Sequence, residues 1–132
     1  MDGIIFDVDG TLWDSVEVVA ESWNLAIKEN SDLEPNLNRE ILQGLFGKTM
    51  DEIAAGVFPD LDPDSRRKLM DICFDYENRY LETHPGVYYE GVMDTLKELA
   101  LEYPLFIVSN CQCGYIEVMM KGAGMEPYIK DF

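Results

Sequence analysis

Two carboxylates two residues apart, Asp7 and Asp9, close a short apolar run, Ile4 to Phe6, and are followed at once by Gly10 and Thr11. Carboxylate oxygens are hard ligands that suit Mg²⁺, a cation that usually keeps several waters and takes one or two protein acids. A carboxylate is also a competent nucleophile toward a phosphoryl group, giving an acyl phosphate that water can hydrolyse. If the apolar run is a strand, alternation puts both acids on one side, so one can attack while the other handles protons. Active sites of open α/β sheets lie at the carboxyl ends of such strands. A second apolar run, Leu105 to Val108, ends in the same way, in Ser109 and Asn110. Parallel and adjacent, the two strands would bring Asp7, Asp9, Ser109 and Asn110 to one sheet edge.

The elements that must hold these residues can be followed along the chain. Residues 2 to 8 read as a buried strand, since strands covered on both faces are continuous apolar runs, and Gly10 marks the turn. Ser15 has the type and place of an N-cap, and Val19, Trp23, Ala26 and Ile27 follow at helical spacing to about Glu29, with Trp23 read as core. Asn30 to Asn38 is a polar loop, and a short helix is expected over Arg39 to Gln43. The glycines of Gly44 to Lys48 break it. Thr49 and Glu52 then have the spacing of a capping box. Lys48 is a cation on a glycine-flanked loop at a helix start, placed either to meet an anion or simply to face solvent. Pro59 ends that helix, and Asp62-Pro63 opens a long one as cap and first helical residue, apolar on one face to about Glu82.

From Ser15 to His84 the segment is therefore read as helix and loop without a strand. The pattern changes at Pro85-Gly86-Val87. A helix follows through Val92, Leu96, Leu99 and Tyr103, stopped by Pro104; then come the second strand and a helix from Tyr115 to Lys121, with Gly122 or Gly124 near its end. His84, the only histidine, stands beside no serine or cysteine nucleophile and reads as a junction residue. Strand, helical excursion, helix, strand, helix is the grammar of an α/β fold.

Asp7-Val8-Asp9-Gly10-Thr11-Leu12 resembles the first motif of the haloacid dehalogenase superfamily, and Leu105 to Asn110 resembles the second. The resemblance covers essentially the whole chain. It implies an incomplete Rossmann-like core with a parallel sheet, residues 1–14 and 85–132, and an inserted all-helical cap, residues 15–84. By the same resemblance Asp7 is the nucleophile and a Mg²⁺ ligand. Asp9 donates a proton to the leaving oxygen, later takes one from water, and lends its backbone carbonyl to the metal. Ser109 would bind a phosphoryl oxygen, Asn110 would support that loop, and Thr11 would help fix the first motif. The acid at Asp9 points to phosphoryl transfer rather than dehalogenation. The cap and the boundary at Pro85 resemble the branch of phosphoglycolate phosphatase and β-phosphoglucomutase, where Gly44 to Lys48 falls at the substrate-specificity loop and makes Lys48 a substrate-binding candidate. The expected activity is hydrolysis of a small phosphorylated metabolite, with a phosphomutase as the alternative.

The superfamily's third and fourth motifs, a lysine and one or two further acids, have no counterpart here; neither Lys121 nor Lys130 has the matching context. The sequence therefore reads as a truncated piece of a longer phosphatase, inactive or impaired by itself. Without the strand that carries the fourth motif, the first strand is expected to keep an open edge, through which the chain could form a homo-oligomer.

Composition sets the remaining bounds. With 132 residues and 47% apolar content the chain is globular and long enough for a core. Twenty-six acids against ten bases give a net charge of −16, which repels nucleic acid and anionic membrane. A phosphate must then be met by a cation and by locally aimed donors. No apolar run reaches the length of a membrane span, and no signal peptide is expected. Three cysteines, Cys73, Cys111 and Cys113, form no disulfide framework and favour a reducing, cytoplasmic setting. The lone Cys111-x-Cys113 lacks the second ligand pair of a usual metal site.

Overall fold

A computed structural model describes residues 2–109 and 111–132. The chain is a mixed α/β protein that divides into two compact units: the chain before Val16 together with Pro85–Phe132, and Val16–His84.

The first unit is built on a parallel pair. Strand β1 (Ile4–Phe6) lies beside β4 (Leu105–Ile107), with Ile4 opposite Leu105 and Phe6 opposite Ile107. The far side of β4 is taken up by the chain near Asp131, where Ile107 N donates to Asp131 O at 3.1 Å and Lys130 N to Leu105 O at 2.8 Å. Among the described residues no strand lies on the other side of β1.

The expected strand over residues 2 to 8 thus narrows to three paired residues, and it is not buried throughout. Ile5 is 69% exposed, because one face of a sheet this narrow lacks a covering layer. Val8, beyond the strand, is fully buried.

A second, antiparallel pair, β2 (Trp13–Asp14) with β3 (Val87–Tyr88), has no precedent in the sequence reading. Gly86 makes it possible: a Cβ there would lie 2.9 Å from both the Asp14 carbonyl and the Trp13 ring. Helix α5 (Val92–Ala100) and helix α6 (Tyr115–Ala123) complete the unit, and α6 ends at Gly124, whose left-handed φ of 71° lets its amide turn back to Met120 and Lys121. Val8, Leu12, Trp13, Leu96, Leu105 and Ile107 are among the buried side chains.

The second unit is helical. It contains α1 (Val16–Asn30), α2 (Arg39–Gln43), α3 (Met50–Val57) and α4 (Pro63–Thr83). Thr49 and Asp62 cap as their sequences predict, accepting from the amides of Glu52 and Ser65. Asn38, read as the last residue of a loop, also caps by accepting from Ile41 N, whereas the Ser15 hydroxyl, expected to cap α1, is bonded to Asp9 instead. The α1 stripe of Val19, Trp23, Ala26 and Ile27 packs with Leu69, Met70 and Cys73 of α4. The loop after α1 is fastened to it by the Asn24 amide, which both donates to Leu37 O and accepts from Leu37 N at 2.9 Å.

Cys73 is fully buried. Burial, with Glu77 nearby, pushes its thiol up to about 12. Because the thiolate is the reactive form, iodoacetamide at pH 8 is expected to label the exposed Cys113 and to leave Cys73 unmodified until urea is added. Mass spectrometry showing Cys73 alkylated as fast as Cys113 in the native protein would contradict this burial.

Candidate active site

The site begins where β1 stops. Asp7 follows Phe6 directly and is exposed, Val8 points inward, and Asp9 is half-buried. The chain then reverses tightly. The amides of Thr11 and Leu12 converge on the Val8 carbonyl at 3.1 and 2.9 Å, and Gly10 N donates to Trp13 O at 3.0 Å. Gly10 sits at φ 80°, a left-handed conformation that favours glycine.

Strand β4 reaches the same edge. Val108 N donates to Phe6 O at 3.0 Å, so the parallel register carries Ser109 to the end of the sheet where Asp7 and Asp9 emerge. Asp7, Asp9, Thr11 and Ser109 thus belong to one unit and one edge. Lys48 is exposed in the helical unit, on a turn formed by Gly47 at φ 91°. Asn110 lies outside the described residues.

Asp9 is the organised member of the pair. Its Oδ1 accepts from the Ser15 hydroxyl at 3.2 Å and, closely, from the Tyr115 hydroxyl. Tyr115 in turn accepts from Trp13 Nε1 at 3.2 Å and lies 2.9 Å from Ser15 Oγ. Trp13, Ser15 and Tyr115 are each at least 98% buried. Burial pushes the Asp9 carboxyl above its ordinary range, Asp7 adds to the push, and the Tyr115 and Ser15 hydroxyls and the Trp13 indole pull the other way. The result suits a group that must carry a proton at a pH where an exposed carboxyl has lost it.

Ser15 and Tyr115 were not foreseen as site residues. Ser15 stands at the start of α1 and reads as a cap, and Tyr115 reads only as the first residue of a helix. The usable signal was the tyrosine's polar tip at the start of a helix that follows a strand end.

The raised Asp9 carboxyl has a consequence for stability. A group that holds its proton more tightly when folded contributes stability below the ordinary aspartate value of about 4, and that contribution is lost as pH rises through the raised value. With metal chelated, Asp9→Asn is therefore expected to melt above the wild type at pH 7, with the difference shrinking on acidification. Melting curves from pH 3 to 8 check this; a variant that melts lower at pH 7 contradicts the sign.

The oxygen donors at the sheet end come from Asp7 and Asp9. Among the described residues no group of three or more His, Cys, Asp or Glu gathers. Two hard oxygen donors fit a cation that keeps much of its water shell, and not a soft metal.

A parallel pair with a D-x-D-G-T turn at its carboxyl end and a helical unit inserted after it is a Rossmann-like α/β core that carries two acids at its sheet edge. Residues 4–131 match the family model of haloacid dehalogenase-like hydrolases, and the chain belongs to that family. Similar solved structures include a predicted phosphoglycolate phosphatase from Haemophilus somnus, 22% identical with a TM-score of 0.84, covering 99% of this chain and 61% of that one. A haloacid dehalogenase-like hydrolase from Streptococcus pneumoniae is 21% identical with a TM-score of 0.78 over 99% of this chain and 60% of its own. A hydrolase from Pseudomonas syringae is 20% identical with a TM-score of 0.74, over 99% and 59%. At such identities the likeness speaks to the fold. The chain spans about three-fifths of the length of these structures. No curated protein sequence matches it.

Proposed function

We propose that this chain supplies the nucleophile and the proton-transfer group of a phosphate monoesterase acting on a small phosphorylated metabolite. The observation that supports this most is the division of labour between the acids: Asp7 is exposed at the strand end, while Asp9 is held through one oxygen by buried hydroxyls. Asp7 attacks phosphorus, forming an aspartyl phosphate, and Asp9 protonates the departing ester oxygen. Asp9 then takes a proton from the water that releases phosphate. Ser109 binds a phosphoryl oxygen and Thr11 holds the first turn.

Mg²⁺ would be held by the Asp7 carboxylate and the Asp9 backbone carbonyl, and when bound it screens the phosphoryl charge. With a net charge of −16 on the chain, such local screening matters more than long-range attraction. Residues 15–84 act as the cap, a reading supported by the compact helical unit Val16–His84. Phosphate release from a panel of small monoesters, in Mg²⁺ and in EDTA, by this chain and by a longer form of the protein that carries it, tests the reading. Release confined to Mg²⁺ is expected, lower or absent for the 132 residues alone; no release from any ester by either form would overturn it.

A second reading is favoured by the one-sided strand. Among the described residues β1 is paired on one edge only, and Ile5 is 69% exposed, so the 132 residues by themselves would self-associate without enzymatic activity. Sedimentation is expected to show dimers that revert to monomers in Ile5→Lys. A wild-type monomer at high concentration would remove this reading.

A further inference from the structure

The side chains around Asp9 form a directed chain of hydrogen bonds. An indole N–H can only donate, so the Tyr115 hydroxyl accepts from Trp13 Nε1. The Tyr115 hydroxyl donates to Asp9 Oδ1, which also receives the hydroxyl of Ser15, itself 2.9 Å from Tyr115. An oxygen occupied by two donors is the one that stays unprotonated.

We propose that Tyr115, oriented by the Trp13 indole, is the positioning residue that pins Asp9 through Oδ1 and so assigns proton transfer to Oδ2. The inference rests on the phosphoryl-transfer reading above and adds to it which oxygen acts and what aims it. In the first half-reaction the bond from Asp7 to phosphorus forms as the bond from phosphorus to the ester oxygen breaks. The proton on Asp9 Oδ2 moves to that leaving oxygen, and Asp9 is left as carboxylate.

Tyr115 is suited to this by rigidity. Its ring is 98% buried and meets Trp13 edge-on at 6.0 Å, while Trp13 also packs on Tyr88 at 5.3 Å. Phenylalanine keeps that packing and removes only the hydroxyl. The contact joins residues 106 positions apart, so it also ties the start of α6 to the loop after β1.

The test compares two esters whose need for an acid differs. p-Nitrophenolate leaves without protonation; an alkoxide does not. Tyr115→Phe is expected to lower kcat on ethyl phosphate about tenfold more than on p-nitrophenyl phosphate, with KM unchanged on both. Equal losses on the two esters, or none, would overturn the positioning role. A wild type that hydrolyses neither ester would overturn the phosphatase reading, and the catalytic half of this inference with it.

The contact itself is judged without turnover. In EDTA, Tyr115→Phe is expected to lower Tm when Asp9 is present and to lower it less in the Asp9→Ala background. Additive Tm changes would overturn the contact.

Discussion

Asp7→Asn is expected to cut phosphate release by about 10⁴-fold or more, the scale seen when an enzyme loses its nucleophile. The substitution is nearly isosteric and replaces an anionic oxygen with an amide that does not attack phosphorus. It also removes the carboxylate proposed to hold Mg²⁺, so metal affinity and turnover fall together. Asp7 is exposed beyond the last paired residue of β1, and its removal opens no cavity. Tm is therefore expected to stay within a few degrees of wild type, separating a chemical defect from a folding one. Asp9→Asn should behave differently, losing activity while gaining stability at pH 7. Retention of more than a tenth of wild-type turnover by Asp7→Asn would exclude it as the nucleophile.

The largest expected effect on stability comes from Trp23→Ala, at about 3–5 kcal/mol, the usual range for a buried tryptophan. Trp23 is 1% exposed and lies edge-on to Phe74 at 5.8 Å. Its Nε1 donates at 2.8 Å to Oε1 of Glu77, which is itself 3% exposed. Alanine loses both the packing and a donor to a buried carboxyl. Trp23→Phe keeps most of the ring and loses the donor, so its cost is expected at about 1–3 kcal/mol. Urea midpoints for the two variants and the wild type check the order. A Trp23→Ala loss below about 1 kcal/mol would show that the ring does not organise this core.

Much of the architecture was legible because the local signals agree. Thr49 and Asp62 are caps in type and in place, Pro63 starts α4, and the apolar stripe of α1 faces its core. The parallel pair was legible from two apolar runs, though its exposure was not: a run such as Ile4 to Phe6 says what could be covered, while Ile5 depends on what covers it.

The β2–β3 pair was illegible because two residues per strand carry no periodicity; only the close approach at Gly86 marks it. At the site, Asp7, Asp9 and Ser109 fall on one edge because strand topology alone delivers them there. The partners of Asp9 did not emerge, since a serine before a helix and a tyrosine at the start of another have sufficient local explanations. Their shared role exists only once the ends of the chain meet.

That meeting bears on how the molecule is made. Ile4 and Leu105 pair across a separation of about a hundred residues, and the helical unit, rich in local contacts, can form before they do. At ribosomal speeds of about 5–20 residues per second, the N-terminal strand waits roughly 5–20 seconds for its partner to be synthesised. During that interval a bare Ile-Ile-Phe segment is at risk of sticking to other chains. The acids that bracket it, Asp2 before and Asp7 and Asp9 after, act as charged gatekeepers. The carboxylate proposed to attack phosphorus thus also protects the nascent chain, and Asp7→Asn should lower soluble yield even though the finished fold loses nothing.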